Sequence, residues 1–121
     1  MPRLAPLLLA LLTACEEVPV PAFHVEVEAP QAGVVAGTPA LLRLLLTDAL
    51  DDVPLEGAAL EVVPWMPAHG HGVPDDVVVS ERAAGWYMAE VTFTMPGDWE
   101  LQIHIEHGGH DGDVTVPLQV P

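Results

Sequence analysis

From residue 23 onward the chain alternates apolar and polar side chains with the two-residue period of half-buried strands. Phe23-His24-Val25-Glu26-Val27-Glu28 is the first such run, and Pro30 and Gly33 end it. Ala40 to Thr47 is the second. Leu42, Leu44 and Leu46 share one face there, with Arg43 on the other. A run of this length after Thr38-Pro39 favours strand over helix. Asp48 to Gly57 reads as a polar loop, Ala59 to Val63 as a third strand, 64–76 as a Gly/Pro/His loop, and Val77 to Ser80 as a fourth strand. From Gly85 to Thr94, Tyr87, Ala89, Val91 and Phe93 oppose Trp86, Met88, Glu90 and Thr92. Pro96-Gly97-Asp98 makes a turn. Trp99, Leu101, Ile103 and Ile105 then alternate with Glu100, Gln102, His104 and Glu106. Gly108, Gly109 and Gly112 mark another turn before Val114, Val116, Leu118 and Val120. This is about seven short strands with regular turn signals and no convincing helix, the pattern of an all-β, immunoglobulin-like antiparallel β-sandwich spanning 23–121.

The first residues follow a different pattern. After Arg3, Leu4 to Leu12 is uncharged and apolar. It is shorter than the roughly 20 residues that a bilayer span requires, and fits the apolar core of a secretory signal, about 7–15 residues. Leu12-Thr13-Ala14-Cys15 resembles a bacterial lipobox, in which the cysteine is acylated and the signal removed before it. Residues 1–14 are therefore expected to be a lipoprotein signal peptide, with Cys15 as the lipid anchor and 15–22 as the anchor and its proline-bearing tether. An ordinary signal with an incidental cysteine is the competing reading. The expected location is outside the cytoplasm, held to a bacterial membrane by that lipid.

Charge narrows the partners. The chain carries eighteen Asp and Glu against three Arg and no Lys, a formal net charge of −15. Nucleic-acid binding needs a basic surface, so it is excluded as an expectation. Electrostatic attachment to anionic lipid is disfavoured for the same reason. Cys15 is the single cysteine, which leaves no disulfide framework and no cysteine-based zinc site.

No catalytic set stands out. Ser80 is the one serine beyond the leader, and there is no phosphate-cradling glycine loop and no His-Glu-x-x-His. The chain is not expected to be an enzyme. Five of six histidines fall in two clusters. In Met66-Pro67-Ala68-His69-Gly70-His71-Gly72, two imidazoles and a thioether lie on a pliable backbone. Imidazole suits copper and zinc, and thioether selects Cu(I). Solvated loop histidines are the competing reading. His104, His107 and His110, with Asp111 and Asp113, form a second cluster in which oxygen ligands would favour Zn²⁺ or Ca²⁺. A polar hairpin turn is the usual explanation of such a run and is the favoured reading. Trp65, Trp86, Tyr87 and Trp99 are expected to fill or edge the core.

The Met-Pro-x-His-Gly-His-Gly loop at 66–72, Gly85-Trp86-Tyr87, and Phe93-Thr94-Met95-Pro96-Gly97-Asp98-Trp99 together resemble the YtkA-like domain family. That family is similar to FixH-like and CopC-like periplasmic domains, small β-sandwiches associated with copper handling and oxidase assembly. The resemblance implies an immunoglobulin-like fold and a copper role, and points to Met66, His69, His71 and Met95. Relatives often carry a second methionine in the first loop. Here Ala68 stands near that place and histidines follow, which leaves room for Cu(II) as well as Cu(I). The expected ligands are Met66, His69 and His71, with Met95 or His104 completing the shell. The expected function is copper buffering or delivery, with zinc as the alternative ion and a membrane oxidase or metal transporter as partner. The rival is a metal-free accessory sandwich whose acidic surface and Trp65 meet a partner protein.

Overall fold

A computed structural model describes residues 22–121; the expected signal peptide, Cys15 and the expected tether through Pro21 lie outside the described residues. Eight strands follow in order: β1 (Phe23–Glu28), β2 (Ala40–Asp48), β3 (Ala59–Met66), β4 (His71–Gly72), β5 (Val78–Glu81), β6 (Trp86–Val91), β7 (Gly97–His107) and β8 (His110–Val120). They form two four-stranded antiparallel sheets, β1-β2-β6-β5 and β4-β3-β7-β8. Among the described residues there is no helix.

The alternation places the core. Leu42, Leu44 and Leu46 of β2 are fully buried, as are Tyr87, Ala89 and Val91 of β6, and Trp99, Leu101, Ile103 and Ile105 of β7. These line the inner faces of β2 and β6 in one sheet and β7 in the other, stacked as sandwich sheets stack. Burying each such aliphatic side chain contributes about 1.5–3 kcal/mol. A one-residue slip would turn every one of them to solvent, so the register is fixed by burial.

Two expectations change. The strands number eight rather than about seven, because the 64–76 segment is not all loop. β3 continues through Pro64-Trp65-Met66, and His71-Gly72 returns beside it as β4, with Trp65 opposite Gly72 and Met66 opposite His71. Pro64 is tolerated because its carbonyl faces β4, lying 2.9 Å from where a Cβ on Gly72 would stand. Its nitrogen faces the same side, beyond the end of the β4 pairing, so the missing N–H breaks no ladder bond. Trp86 also departs from a core role. It lies half-buried on the outer face, with the Arg43 guanidinium 4.3 Å over its ring.

Tyr87 ties the long 48–58 loop to β6. Its hydroxyl donates to the Leu55 carbonyl at 2.9 Å and accepts from the Ala58 N–H at 3.1 Å. Burial pushes its pKa above the ordinary tyrosine value, which keeps the proton needed for that donation. At the far end of the other sheet, Gly108-Gly109 turns β7 into β8, with His107 opposite His110.

Candidate functional site

β3 ends at Met66 and the chain reverses within four residues. The N–H groups of His69 and Gly70 both donate to the Met66 carbonyl, at 3.2 and 2.9 Å. Gly70 takes φ +65° in this turn, a left-handed conformation that glycine adopts without steric cost. The reversal sets His71 directly across from Met66. Residues opposite each other on paired strands share a face, so His71 lies on the inward side at the mouth of the sandwich. Met66 itself is 1% exposed.

Trp99 forms the floor beneath His71. The two rings meet edge to face, 5.6 Å between centroids, and Phe93, in the connection between β6 and β7, packs edge-on to Trp99 at 5.3 Å. The Trp99 indole N–H donates to the Met95 carbonyl at 3.0 Å. That bond draws the β6–β7 turn onto the same end of the molecule, where Met95 packs half-buried against the core. Gly97 completes the wall. A Cβ there would lie 3.0 Å from the Met66 methyl, and its φ is +137°, so both space and backbone favour glycine. The 66–72 loop and the Met-Pro-Gly-Asp-Trp turn thus meet in space.

His69, exposed, stands beside half-buried His71, with ring centroids 5.9 Å apart and planes inclined by 44°. An ion bound at about 2.0–2.1 Å from an imidazole nitrogen lies about 3.2 Å from that ring's centre. Two rings sharing one ion therefore have centroids no more than about 6.4 Å apart, and the observed pair falls inside that limit. The Nδ1 of His71 lies 3.0 Å from the Gly72 carbonyl oxygen. A carbonyl only accepts, so Nδ1 donates and Nε2 keeps its lone pair for a ligand. Such a bond to the non-ligating nitrogen is the usual way a metal-binding imidazole is held.

The donor set is sparse in hard ligands. Among the described residues, no group of three or more His, Cys, Asp or Glu is arranged to hold a metal ion. The thioethers of Met66 and Met95 belong to the two segments that meet at this end, and thioether is a soft donor.

His104 does not join this cluster. It lies five positions beyond Trp99 on β7, which at strand spacing is about 17 Å away. Its Nδ1 is 2.8 Å from Asp113 Oδ1 on β8 and its Nε2 is 3.8 Å from Glu106 Oε1. The Asp113 hydrogen bond is the main cause of a pKa raised above the ordinary histidine value, with the nearby charges of Asp113, Asp111 and Glu106 adding to it. His107 is farther still, where its Nε2 meets the Glu56 carbonyl at 3.0 Å. The two histidine clusters therefore sit at opposite ends of β7. Sequence reading missed the stacking of His71 on Trp99 and the approach of Gly97 to Met66. The Pro-Gly-Asp-Trp turn was the signal that could have found them.

Two stacked antiparallel sheets with aromatic packing at one end define an immunoglobulin-like sandwich. The chain belongs to the YtkA-like family, whose model matches residues 19–104. That match takes in all four cluster residues, Met66, His69, His71 and Met95. The fold is similar to the filamin domain of Lin-41, with a TM-score of 0.54 at 14% identity, covering 84% of this chain and 96% of that one. It is also similar to a DUF4426 family protein from Pseudomonas aeruginosa PAO1, with a TM-score of 0.56 at 10% identity, covering 84% and 93%. No curated protein matches the chain by sequence.

Proposed function

We propose that this YtkA-like sandwich is an extracytoplasmic, membrane-tethered copper-binding accessory domain that buffers or delivers the ion and does no catalysis. The observation that carries the reading is the convergence of His69, His71 and buried Met66 at one mouth of the sandwich, with the His71 Nδ1 already committed to a backbone carbonyl. We take Met95, whose carbonyl accepts the Trp99 indole N–H, as a candidate second thioether on the neighbouring turn. An acidic surface supports the reading by raising the local concentration of cations. The lipobox-like run ending at Cys15 supports a tether, and with its thiol taken by lipid a soft ion would depend on imidazole and thioether.

The test is a metal titration of the full chain and of the His69→Ala/His71→Ala variant, followed by tryptophan fluorescence, since Trp99 stacks on His71. The wild type is expected to bind Cu(I) with quenching, and the variant at least about tenfold more weakly, or about 1.4 kcal/mol. Equal affinity in the two proteins would overturn the assignment.

A further inference from the structure

A second feature lies on the outer face of the β1-β2-β6-β5 sheet. A groove of about 560 Å³ runs over β5, β6 and β2 and is walled by the segment that connects β4 to β5. The register puts Leu41, Glu90 and Val78 in one row across the three strands. Leu41 and Val78 are 52% and 74% exposed, and half-buried Met88 lies beside them in the groove. Exposed aliphatic side chains gathered in one groove among charged ones suit a surface that a partner covers.

The boundary identifies the cover. Asp75, Asp76 and Glu90 line the groove against the single cation Arg82. The groove crosses from β2 to β5, the outermost strand of the sheet, a path along which an extended segment can lie. A second copy of this chain fits badly. It would bring a net charge of −15 and three arginines, of which Arg43 is held by Glu28 at 3.0 Å and by Trp86. We propose that this groove docks an extended segment of a partner protein bearing alternating apolar and cationic side chains. The apolar ones cover Leu41, Val78 and Met88, and the cationic ones meet Asp75, Asp76 and Glu90. The groove also adjoins the Met/His end of the sandwich. Val73 in its wall follows His71-Gly72, and Thr94 in its lining precedes Met95. A partner seated there would stand beside the histidines, but the docking itself does not depend on any metal.

The probe is a short fluorescent peptide of alternating lysine and valine, with alternating glutamate and valine as its counterpart. Each is titrated against the full chain at low salt by fluorescence anisotropy. The lysine peptide is expected to bind and the glutamate peptide to fail. Asp75→Asn/Asp76→Asn is expected to weaken binding about five- to tenfold, since exposed pairs contribute about 0.2–1 kcal/mol each. Glu106→Gln/Asp111→Asn removes the same charge from the opposite sheet and is expected to change affinity by less than about twofold. Val78→Ser, at an exposed position, is expected to weaken binding without changing the fold, read by circular dichroism. Equal losses from the two charge pairs would mean attraction by net charge alone and would overturn the proposal. So would a concentration-dependent dimer abolished by Val78→Ser, which would assign the groove to a second copy.

Discussion

Met66 fills the core, and the proposed site also asks it to act as a sulfur donor; a pair of substitutions divides the two. Its side chain is 1% exposed and its methyl abuts Gly97. Met66→Ala removes that volume from a close-packed end, where Phe93 and Trp99 are already in edge contact and neighbouring groups have little room to collapse. The cost is about 2–5 kcal/mol, which in a domain of this size lowers Tm by roughly 10 °C or more. Met66→Leu conserves volume and apolarity, so its cost stays under about 1.5 kcal/mol. It also deletes the thioether. The leucine variant is therefore expected to stay folded but to bind Cu(I) about tenfold or more weakly, with Cu(II) binding changed by less than about threefold. Scanning calorimetry measures the first pair of effects. Anaerobic competition with a chromogenic Cu(I) chelator measures the second. A leucine variant with wild-type Cu(I) affinity would remove Met66 from the ligand set. An alanine variant within about 1 kcal/mol of wild type would refute the packing argument.

The remaining predictions concern the scaffold and its titration. Tyr87→Phe leaves the Ala58 N–H and the Leu55 carbonyl without the hydroxyl, and is expected to cost about 1–3 kcal/mol for the two bonds. Urea denaturation should show a lower midpoint at unchanged slope, and amide exchange at Ala58 should quicken; an unchanged midpoint would contradict the loop-anchoring role. The raised pKa of His104, caused chiefly by Asp113, makes the protonated pair stabilising. That contribution is fully present below the unfolded histidine value of about 6.5 and is lost as pH rises through the higher folded value. Wild type should thus exceed Asp113→Asn in stability most at about pH 5, with the gap closing toward pH 8. A gap constant across that range would show that the pair does not titrate as described.

Much of the sandwich was legible because burial writes a two-residue period into the chain. β1 was read with its observed ends, and the inward sets Leu42/Leu44/Leu46, Tyr87/Ala89/Val91 and Leu101/Ile103/Ile105 were read correctly. Where the period breaks, the reading broke. β4 is two residues long and contains glycine, so no alternation exists to detect. β3 crosses Pro64, a residue that ordinarily argues against strand, and only the proximity of its carbonyl to Gly72 shows why it is accommodated. The candidate cluster was legible in part for a related reason. Met66, His69 and His71 are neighbours in sequence, so their clustering needed only a turn. Met95 needed the Trp99 indole bond to bring its turn across. His104 has the right chemistry for a ligand, but strand geometry carries it about 17 Å from Trp99 and gives it to Asp113. Trp86 shows the same limit in the core. Its parity along β6 places it outward, and that outweighs its aromatic character.

The central claim is that one ion is held jointly by imidazole nitrogen and thioether sulfur at the Met66–His71 mouth. X-ray absorption at the copper edge, on the full chain loaded anaerobically with one equivalent of Cu(I), tests it most directly. The account predicts a sulfur shell together with imidazole scattering, the sulfur lost or reduced in Met66→Leu and the imidazole lost in His69→Ala/His71→Ala. A shell of nitrogen and oxygen alone, unchanged by Met66→Leu, would contradict it.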